Sequence, residues 1–327
     1  MLTADERSAE GETTTMADMR IGVLLPNVGT AASPGAIVEL ARESESMGAA
    51  SLWVGDHLLL AADQQARYPY NDTGDYVVPS DRNFLDAFTT LSWVAGQTGS
   101  IRLGVSVCIA PYRHPAQVAK VLGTLEFLAP GRMVLGVGTG WMRDEFDSLA
   151  VPYENRNADT VRLVRFLREA GRAEGPVTIE NPGYPTHEMY LRPQPAADLP
   201  IWIGGNGPLA RRRAARHGDA WHPALHRQSP AQLAEEMAEV RALAAEAGRD
   251  PAAIELTVFA GLALSDTWRD RPWERGMIRG PAEPVVETMA GYADAGVTEM
   301  ILSIGGSTRR RLATLEALVD AGLALTP

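Results

Sequence analysis

Cysteine is almost absent from this sequence, with Cys108 the single example in 327 residues. One thiol cannot form an intrachain disulfide, so the composition gives no indication of an oxidising compartment. Cys108 lies in the apolar run LGVSVCIA, where a buried, small, hydrophobic side chain is the expected role and a reactive thiol is the alternative.

Long hydrophobic runs are also missing, because no stretch approaches the roughly 18 apolar residues that a membrane-spanning helix needs. The first 17 residues, MLTADERSAEGETTTMA, are acidic and polar and contain no hydrophobic core of a signal peptide. We therefore expect residues 1–18 to be a disordered extension and residues 19–327 to form one domain. We also expect a cytoplasmic protein.

Positive charge is scarce, since 30 Lys and Arg residues against 41 Asp and Glu residues give a formal net charge of -11. The phosphates of nucleic acids and anionic membrane surfaces would be repelled, so neither is an expected partner. An anionic cofactor would need oriented local donors, because the overall charge opposes its approach.

The sequence does contain a regular alternation of short apolar runs with amphipathic helical stretches. Eight apolar runs, each followed by a predicted helix, indicate buried parallel strands. A doubly wound open sheet gives a similar alternation, but eight units favour an α/β fold of the (β/α)8 TIM-barrel type, a single domain with insertion loops. The predicted strands are 20–26, 51–55, 101–107, 132–137, 200–204, 219–222, 254–264 and 297–303.

Local signals mark several of the intervening helices. Ser-Pro pairs at 33–34 and 229–230 predict helix N-termini. An apolar face over residues 83–99 predicts another helix. His114 immediately precedes Pro115 and is interpreted as a local capping group.

Two segments between the predicted elements are candidate lids. Residues 60–83 are rich in Tyr, Pro and Asp and lack periodicity, and residues 268–280 hold four arginines and two tryptophans. Long irregular loops in a compact domain are usually functional or mobile. Surface loops without a function are the alternative for both segments.

The carboxyl ends of the strands are where a TIM barrel places its active site. Asp56 and His57 follow the second predicted strand, and an imidazole there can donate a proton or hydrogen-bond a heteroaromatic ring. A structural histidine paired with Asp56 is the alternative. His222 ends the sixth strand and is a candidate pocket residue. No acidic or cysteine partners stand at ligand spacing from the histidines, so no metal site is predicted.

Two glycine-rich turns lead from strands into helices, GVGTGW at 136–141 and IGGNGP at 203–208. Glycine lets a backbone approach a ligand closely, and the amides at a helix N-terminus attract phosphate. Plain turn formation explains either turn alone. Both together, with the arginines at 211–213 behind the second, favour a cofactor that carries phosphate. No G-x-S-x-G or Walker motif supports a hydrolase or a phosphotransferase.

Over residues 19–321 the chain resembles the luciferase-like monooxygenase superfamily, most closely its deazaflavin-dependent actinobacterial branch. The motifs that carry the resemblance are LWVGDH (52–57), IRLGVSV with RHP (101–107 and 113–115), GRMVLGVGTGWMRDEF (131–146) and LPIWIGGNGPLARRRAARHGDAWHP (199–223).

The resemblance implies roles for the matching positions. Asp56 and His57 match a histidine beside the deazaflavin ring that is proposed to handle protons. Ser106 and Val107 match a strand bulge with a non-proline cis peptide that supports the ring. A polar contact with the ring is implied for Asp144. The two glycine turns are expected to add further cofactor contacts, with the second turn at the phosphate, through Gly138, Thr139, Gly140, Gly204, Gly205, Asn206 and Gly207.

One position departs from part of the family. Sugar-phosphate dehydrogenases of this superfamily place an acidic proton donor after the first glycine turn, where this chain has Trp141. A tryptophan cannot act as that acid, and Lys120 is the only lysine available to clamp a phosphate. We therefore expect no sugar-phosphate oxidation and predict a substrate pocket lined by Trp141, Trp221 and His222.

The activity that the resemblance implies is hydride transfer between coenzyme F420 and a small, apolar organic substrate, with His57 assisting proton transfer. One alternative is a monooxygenase that uses reduced FMN, and another is a barrel that binds flavin without turnover. The resemblance also implies a homodimer, supplied with electrons by a separate F420 or flavin reductase.

Overall fold

The computed structural model describes residues 16, 18–76, 78–180, 183–265 and 276–326. Its strands are β1 (Arg20–Leu24), β2 (Ser51–Val54), β3 (Arg102–Ile109), β4 (Met133–Gly138), β5 (Val177–Ile179), β6 (Thr186–Met189), β7 (Ile201–Gly204), β8 (Ala220–His222), β9 (Glu255–Leu264), β10 (Ile278–Gly280) and β11 (Val297–Ile304). Its helices are α1 (Pro34–Ser46), α2 (Ala87–Ala95), α3 (Pro115–Leu128), α4 (Arg143–Ser148), α5 (Arg156–Arg172), α6 (Pro208–His217), α7 (Pro230–Glu246), α8 (Ala282–Asp294) and α9 (Thr308–Asp320).

Eight of these strands close into a parallel barrel. They follow one another around the barrel in the order β1-β2-β3-β4-β7-β8-β9-β11, and β11 pairs again with β1. All the pairings around this ring are parallel. The helices surround the barrel, so the predicted TIM-barrel fold is confirmed and the open doubly wound sheet is excluded.

The helix boundaries follow the capping residues. Ser33 accepts a hydrogen bond from the backbone of α1, and Ser229 forms a full capping box with Gln232 at the start of α7. The helix predicted over 83–99 is shorter than expected. Asp86 caps it by accepting from Thr89 N, so α2 begins only at Ala87.

Three strands were not predicted from the sequence. The antiparallel hairpin of β5 and β6 is inserted between α5 and β7, and β10 extends the sheet beside β9. Strand β10 occupies the end of the candidate lid at 268–280, and residues 268–275 of that segment lie outside the described part of the chain. The same is true of residues 1–15 and 17 of the predicted N-terminal extension.

The interior of the barrel is filled by large side chains at its middle and a charged network at its amino-terminal end. Trp53 and Trp202 stack in the middle of the barrel, with ring centroids 4.7 Å apart. Glu299 is fully buried and accepts hydrogen bonds from Arg20, Arg102 and Ser51. A buried carboxylate is stable only with such partners. The network lies at the end of the barrel opposite the predicted site and closes it.

A second apolar layer lies between the strands and the helices. Cys108 is fully buried within it, as predicted from its apolar neighbours, and burial raises the pKa of its thiol. Within the described ranges, no helix combines the length and the apolar character needed to cross a membrane.

Candidate active site

His57 lies at the carboxyl end of β2, nearly buried, and is held by a carboxylate. Its Nδ1 atom is 2.6 Å from Oε2 of Glu145, a fully buried residue of α4. Glu145 also accepts hydrogen bonds from the Tyr112 hydroxyl at 2.9 Å and from the backbone amides of Leu58 and Leu59. An ionised carboxylate only accepts, so His57 donates its Nδ1 proton and keeps Nε2 for another partner.

Asp56, the neighbour of His57, pairs with Arg113 and not with the imidazole. Both of its oxygens are bound by the guanidinium of Arg113, at 2.7 and 2.8 Å, and one also accepts from Ile109 N. Burial disfavours the charge of Arg113, but its hydrogen bonds and attraction to Asp56 outweigh that effect and raise its pKa. This pair fixes the end of β2 to the segment that follows β3.

An aromatic wall, formed by Tyr68, Tyr76, Phe84 and Trp141, surrounds the imidazole of His57. The rings of Tyr76, Phe84 and Trp141 have their centroids 5.4, 5.3 and 5.9 Å from that of His57. Tyr68 contacts both Tyr76 and Trp141. Burial raises the pKa of both phenols, so they stay protonated. The wall makes this corner of the barrel mouth mostly apolar.

The described part of residues 60–83, the candidate lid, lies at the barrel mouth and supplies the two tyrosines of the aromatic wall. Near the beginning of the segment, the carboxylate of Asp144 accepts hydrogen bonds from the backbone amides of Gln65 and Ala66. Farther along, Asp72 pairs with Arg227 and with His226, which lie in the loop after β8. The segment is therefore fastened on both sides of the mouth, and Asp144 is directed towards it.

Ser106 and Val107 form an irregular part of β3 at the mouth, where the pairing with β4 shifts register. Their peptide bond is cis, as the family resemblance implies. The Val107 side chain packs over Gly138 and Gly204: a Cβ atom at Gly138 would overlap Val107 Cγ2, and one at Gly204 would lie 2.8 Å from Cγ1. These two glycines therefore make room for a valine side chain.

The rest of the first glycine turn is shaped by packing and backbone conformation. Gly140 has a φ of 76°, in the region that favours glycine, and a Cβ there would lie 2.7 Å from Phe146. Thr139 is partly exposed between the two glycines. The turn delivers the chain to Trp141 and α4, and so positions both the aromatic wall and Glu145.

The second glycine turn, residues 204–207, presents backbone amides at the start of α6. Gly205 has a φ of 113°, and the side chain of Asn206 bridges to the backbone of Ala224 in both directions. Gly207 is the N-cap of α6, has no side-chain cap, and faces open space where a Cβ would be. Unpaired amides at a helix start suit an anion.

Trp221 and His222 are placed on opposite faces of β8. Trp221 is fully buried on the helix-facing side and donates from Nε1 to the carbonyl of Gly205. It supports the glycine turn, and this placement does not fit the predicted contact with substrate. His222 points into the barrel, only 2% exposed, because alternate residues of a strand face opposite sides.

The imidazole of His222 connects two strands inside the barrel. Its Nε2 is 3.0 Å from Ser106 Oγ and its Nδ1 is 2.9 Å from Thr257 Oγ1. Desolvation lowers the pKa of His222 to about 4, so the ring is neutral at physiological pH. It supports Ser106 from inside the barrel, and its place in a substrate pocket stays a prediction.

Two further predictions concern histidines elsewhere. His114 is the N-cap of α3, and its Nδ1 accepts from Ala116 N, so its interpretation as a capping group is confirmed. In the described part of the chain, no group of three or more His, Cys, Asp or Glu side chains is arranged to hold a metal ion.

The family of this chain follows from its sequence match. Residues 19–274 match the model of the luciferase-like monooxygenase family. The chain therefore belongs to that family.

The individual proteins that resemble this chain match about two thirds of it. A phthiodiolone/phenolphthiodiolone dimycocerosates ketoreductase of Mycobacterium tuberculosis is 32% identical over 222 residues, which are 66% of this chain and 58% of that protein. The chain thus spans less than two thirds of that relative's length. An uncharacterised protein of Mycobacterium bovis is 29% identical over 216 residues, which are 65% of this chain and 72% of that protein.

Two solved structures share the fold over nearly the whole chain. An F420-dependent secondary alcohol dehydrogenase with an F420-acetone adduct has a TM-score of 0.75 at 18% identity, covering 93% of this chain and 99% of its own. The monooxygenase RslO1 from Streptomyces bottropensis has a TM-score of 0.70, also at 18% identity, with the same two coverages. At this identity the similarity establishes the fold.

Proposed function

We propose that this chain is an F420-dependent oxidoreductase that interconverts a small, apolar ketone and its secondary alcohol. The observation that carries the proposal is the buried His57–Glu145–Tyr112 arrangement at the barrel mouth, next to an aromatic wall. A ketone needs a hydride at its carbon and a proton at its oxygen, and His57 is suited to supply the proton. The names of the ketoreductase relative and the alcohol dehydrogenase neighbour agree with this chemistry.

The residues at the mouth fit a deazaflavin cofactor. The uncapped start of α6 and the open space at Gly207 provide amides and room for its phosphate. Ser106 and Val107 are partly exposed at the mouth, where they can support a flat ring. When bound, F420 supplies or accepts the hydride. The residues of the chain hold it, orient the substrate and manage the proton.

His57 is the residue that exchanges the proton with the substrate oxygen. Glu145 fixes the imidazole by accepting from Nδ1, which leaves Nε2 to face a ligand. The aromatic wall excludes water, and hydrogen bonds strengthen in such low-dielectric surroundings. It also favours substrates without charge, because a charged group placed there would be desolvated without a partner.

Cofactor titration of the purified full chain tests the first part of the proposal. Oxidised F420 and FMN are added in parallel and cofactor fluorescence is followed to saturation. Tighter binding of F420 supports the proposal and justifies assays of reduced F420 with small ketones. Preferential binding of FMN supports the alternative of a monooxygenase that uses reduced FMN; the structural neighbour RslO1 is a monooxygenase. If neither binds to a folded sample, the cofactor assignment is wrong.

Substitution of His57 tests the second part. His57→Asn should reduce ketone turnover by roughly 100-fold or more, the usual contribution of a general acid, while F420 binding changes little. His114→Asn is the matched control, since His114 caps α3 away from the proposed proton path. Binding of F420 without turnover of any ketone or alcohol by the unaltered chain supports the non-catalytic alternative.

A further inference from the structure

A groove of about 510 Å³ adjoins the proposed site and has no role in it. Its walls come from the segment after β1, the end of the candidate lid, and the turn before α9 together with the first turn of that helix. Val28 lines the groove and also forms a β-bridge with Phe84, whose ring contacts His57. Val28 therefore connects the groove to Phe84 of the aromatic wall, and the groove volume is in the range of small-molecule pockets.

The groove combines apolar walls with two guanidinium groups, one of which has no carboxylate partner among the described residues. Val28, Val78 and Pro79 supply apolar surface, and Arg82 and Arg311 supply guanidinium groups. Arg311 donates to the carbonyls of Gly306 and Leu24, both neutral acceptors. Among the described residues, no carboxylate forms an ion pair with Arg311.

The surroundings of Arg82 and Arg311 do not fully neutralise their charge, so both guanidinium groups can attract an anion. Burial lowers the pKa of Arg311, so an anion beside it would relieve an unfavourable desolvation. Among the residues that the structure describes, the one ion pair of Arg82 is with its neighbour Asp81, at 3.4 Å with both side chains more than half exposed. Such a surface pair is weak. In a chain with a net charge of -11, this is a local concentration of positive charge.

We propose that this groove binds an organic anion, in which a carboxylate or phosphate group is carried on an apolar body. The planar guanidinium of Arg311 would bind the anionic oxygens, as arginine does in paired hydrogen bonds. The apolar body would lie against Val28, Val78 and Pro79. The proposal goes beyond the proposed function, since it requires neither F420 nor turnover.

Calorimetric titration of the full chain, without cofactor, tests this proposal. The probe is octyl phosphate, with inorganic phosphate and octanol as the arms that carry only the charge or only the apolar body. We expect octyl phosphate to bind at least about tenfold more tightly than either. Equal binding of octanol would overturn the role of the arginines, and equal binding of inorganic phosphate would overturn that of the apolar wall.

Variants locate the binding in the groove. Arg311→Gln should weaken octyl phosphate binding at least about tenfold, because hydrogen bonds to charged groups are strong. Arg82→Ala should weaken it severalfold and keeps the fold, since Arg82 is exposed. Arg309→Ala is the matched control, because Arg309 is an exposed arginine of α9 that does not line the groove. Binding that is unchanged in both Arg311→Gln and Arg82→Ala refutes the proposal.

Discussion

Acidification should destabilise this protein through His222. The imidazole is 2% exposed inside the barrel, and desolvation lowers its pKa to about 4 from the usual 6.5. Between pH 4 and pH 6.5, His222 binds a proton in the unfolded chain but not in the native chain. The free energy of unfolding therefore falls as the pH falls through this range and is fully restored above pH 6.5.

The magnitude follows from the shift. Each pH unit between the two pKa values removes about 1.4 kcal/mol, so His222 accounts for a loss of roughly 2 kcal/mol at pH 5 and roughly 3 kcal/mol at pH 4. This is a large part of the stability of an ordinary domain. The protein should consequently unfold at distinctly lower urea concentrations at pH 5 than at pH 7.5.

Urea unfolding at pH 7.5 and pH 5, compared between the unaltered chain and His222→Asn, measures this contribution. The amide retains hydrogen-bonding groups for Ser106 and Thr257 but does not titrate. Other groups titrate equally in both proteins, so the difference in pH dependence isolates the imidazole. We expect the unaltered chain to lose roughly 2 kcal/mol more than the variant. If both lose the same free energy, the reasoning about His222 is wrong.

Three further substitutions test the site. Glu145→Gln should lower kcat roughly 10- to 100-fold by misplacing His57; steady-state ketone reduction measures this, and an unchanged kcat contradicts it. Gly138→Ala should reduce the free energy of unfolding by about 1–3 kcal/mol in urea titration, because its Cβ overlaps the Val107 side chain; equal stability contradicts this packing. Asp72→Asn removes an ion pair that holds the candidate lid, worth about 1 kcal/mol at most. Limited proteolysis within residues 60–83 should then accelerate up to roughly fivefold, and an equal rate contradicts the restraint.

The barrel was predictable because its strands are buried on both faces. Continuous apolar runs such as 132–137 and 254–264 are typical of parallel strands between a filled interior and a layer of helices. The hairpin of β5 and β6 gives no such signal. It is short, and Met189 in β6 is 60% exposed. The periodicity of the sequence reflects burial, so an exposed hairpin remains invisible to it.

The residues predicted for the site lie together at the carboxyl ends of the strands, but the hydrogen-bond partners of His57 were not predicted. Asp144 and Glu145 are consecutive residues of α4, about 100° apart around the helix, and only the direction of that helix decides that Glu145 meets His57. Trp221 and His222 were both assigned to the pocket. The alternation of side chains along a strand excludes that arrangement, and this signal was available in the sequence.

The side chains at the barrel mouth fall into two groups, those fixed by the barrel and those contributed by the candidate lid. His57, Glu145 and Tyr112 are tied to β2, α4 and the segment after β3, and their hydrogen bonds need no residue of the lid. Tyr68 and Tyr76 reach Trp141 from the lid, which Asp72 fastens to a loop 155 positions farther along the chain. A contact of that range has no local signal in sequence. It follows that opening of the candidate lid would expose this corner of the barrel mouth to water while leaving His57 and its hydrogen bonds in place.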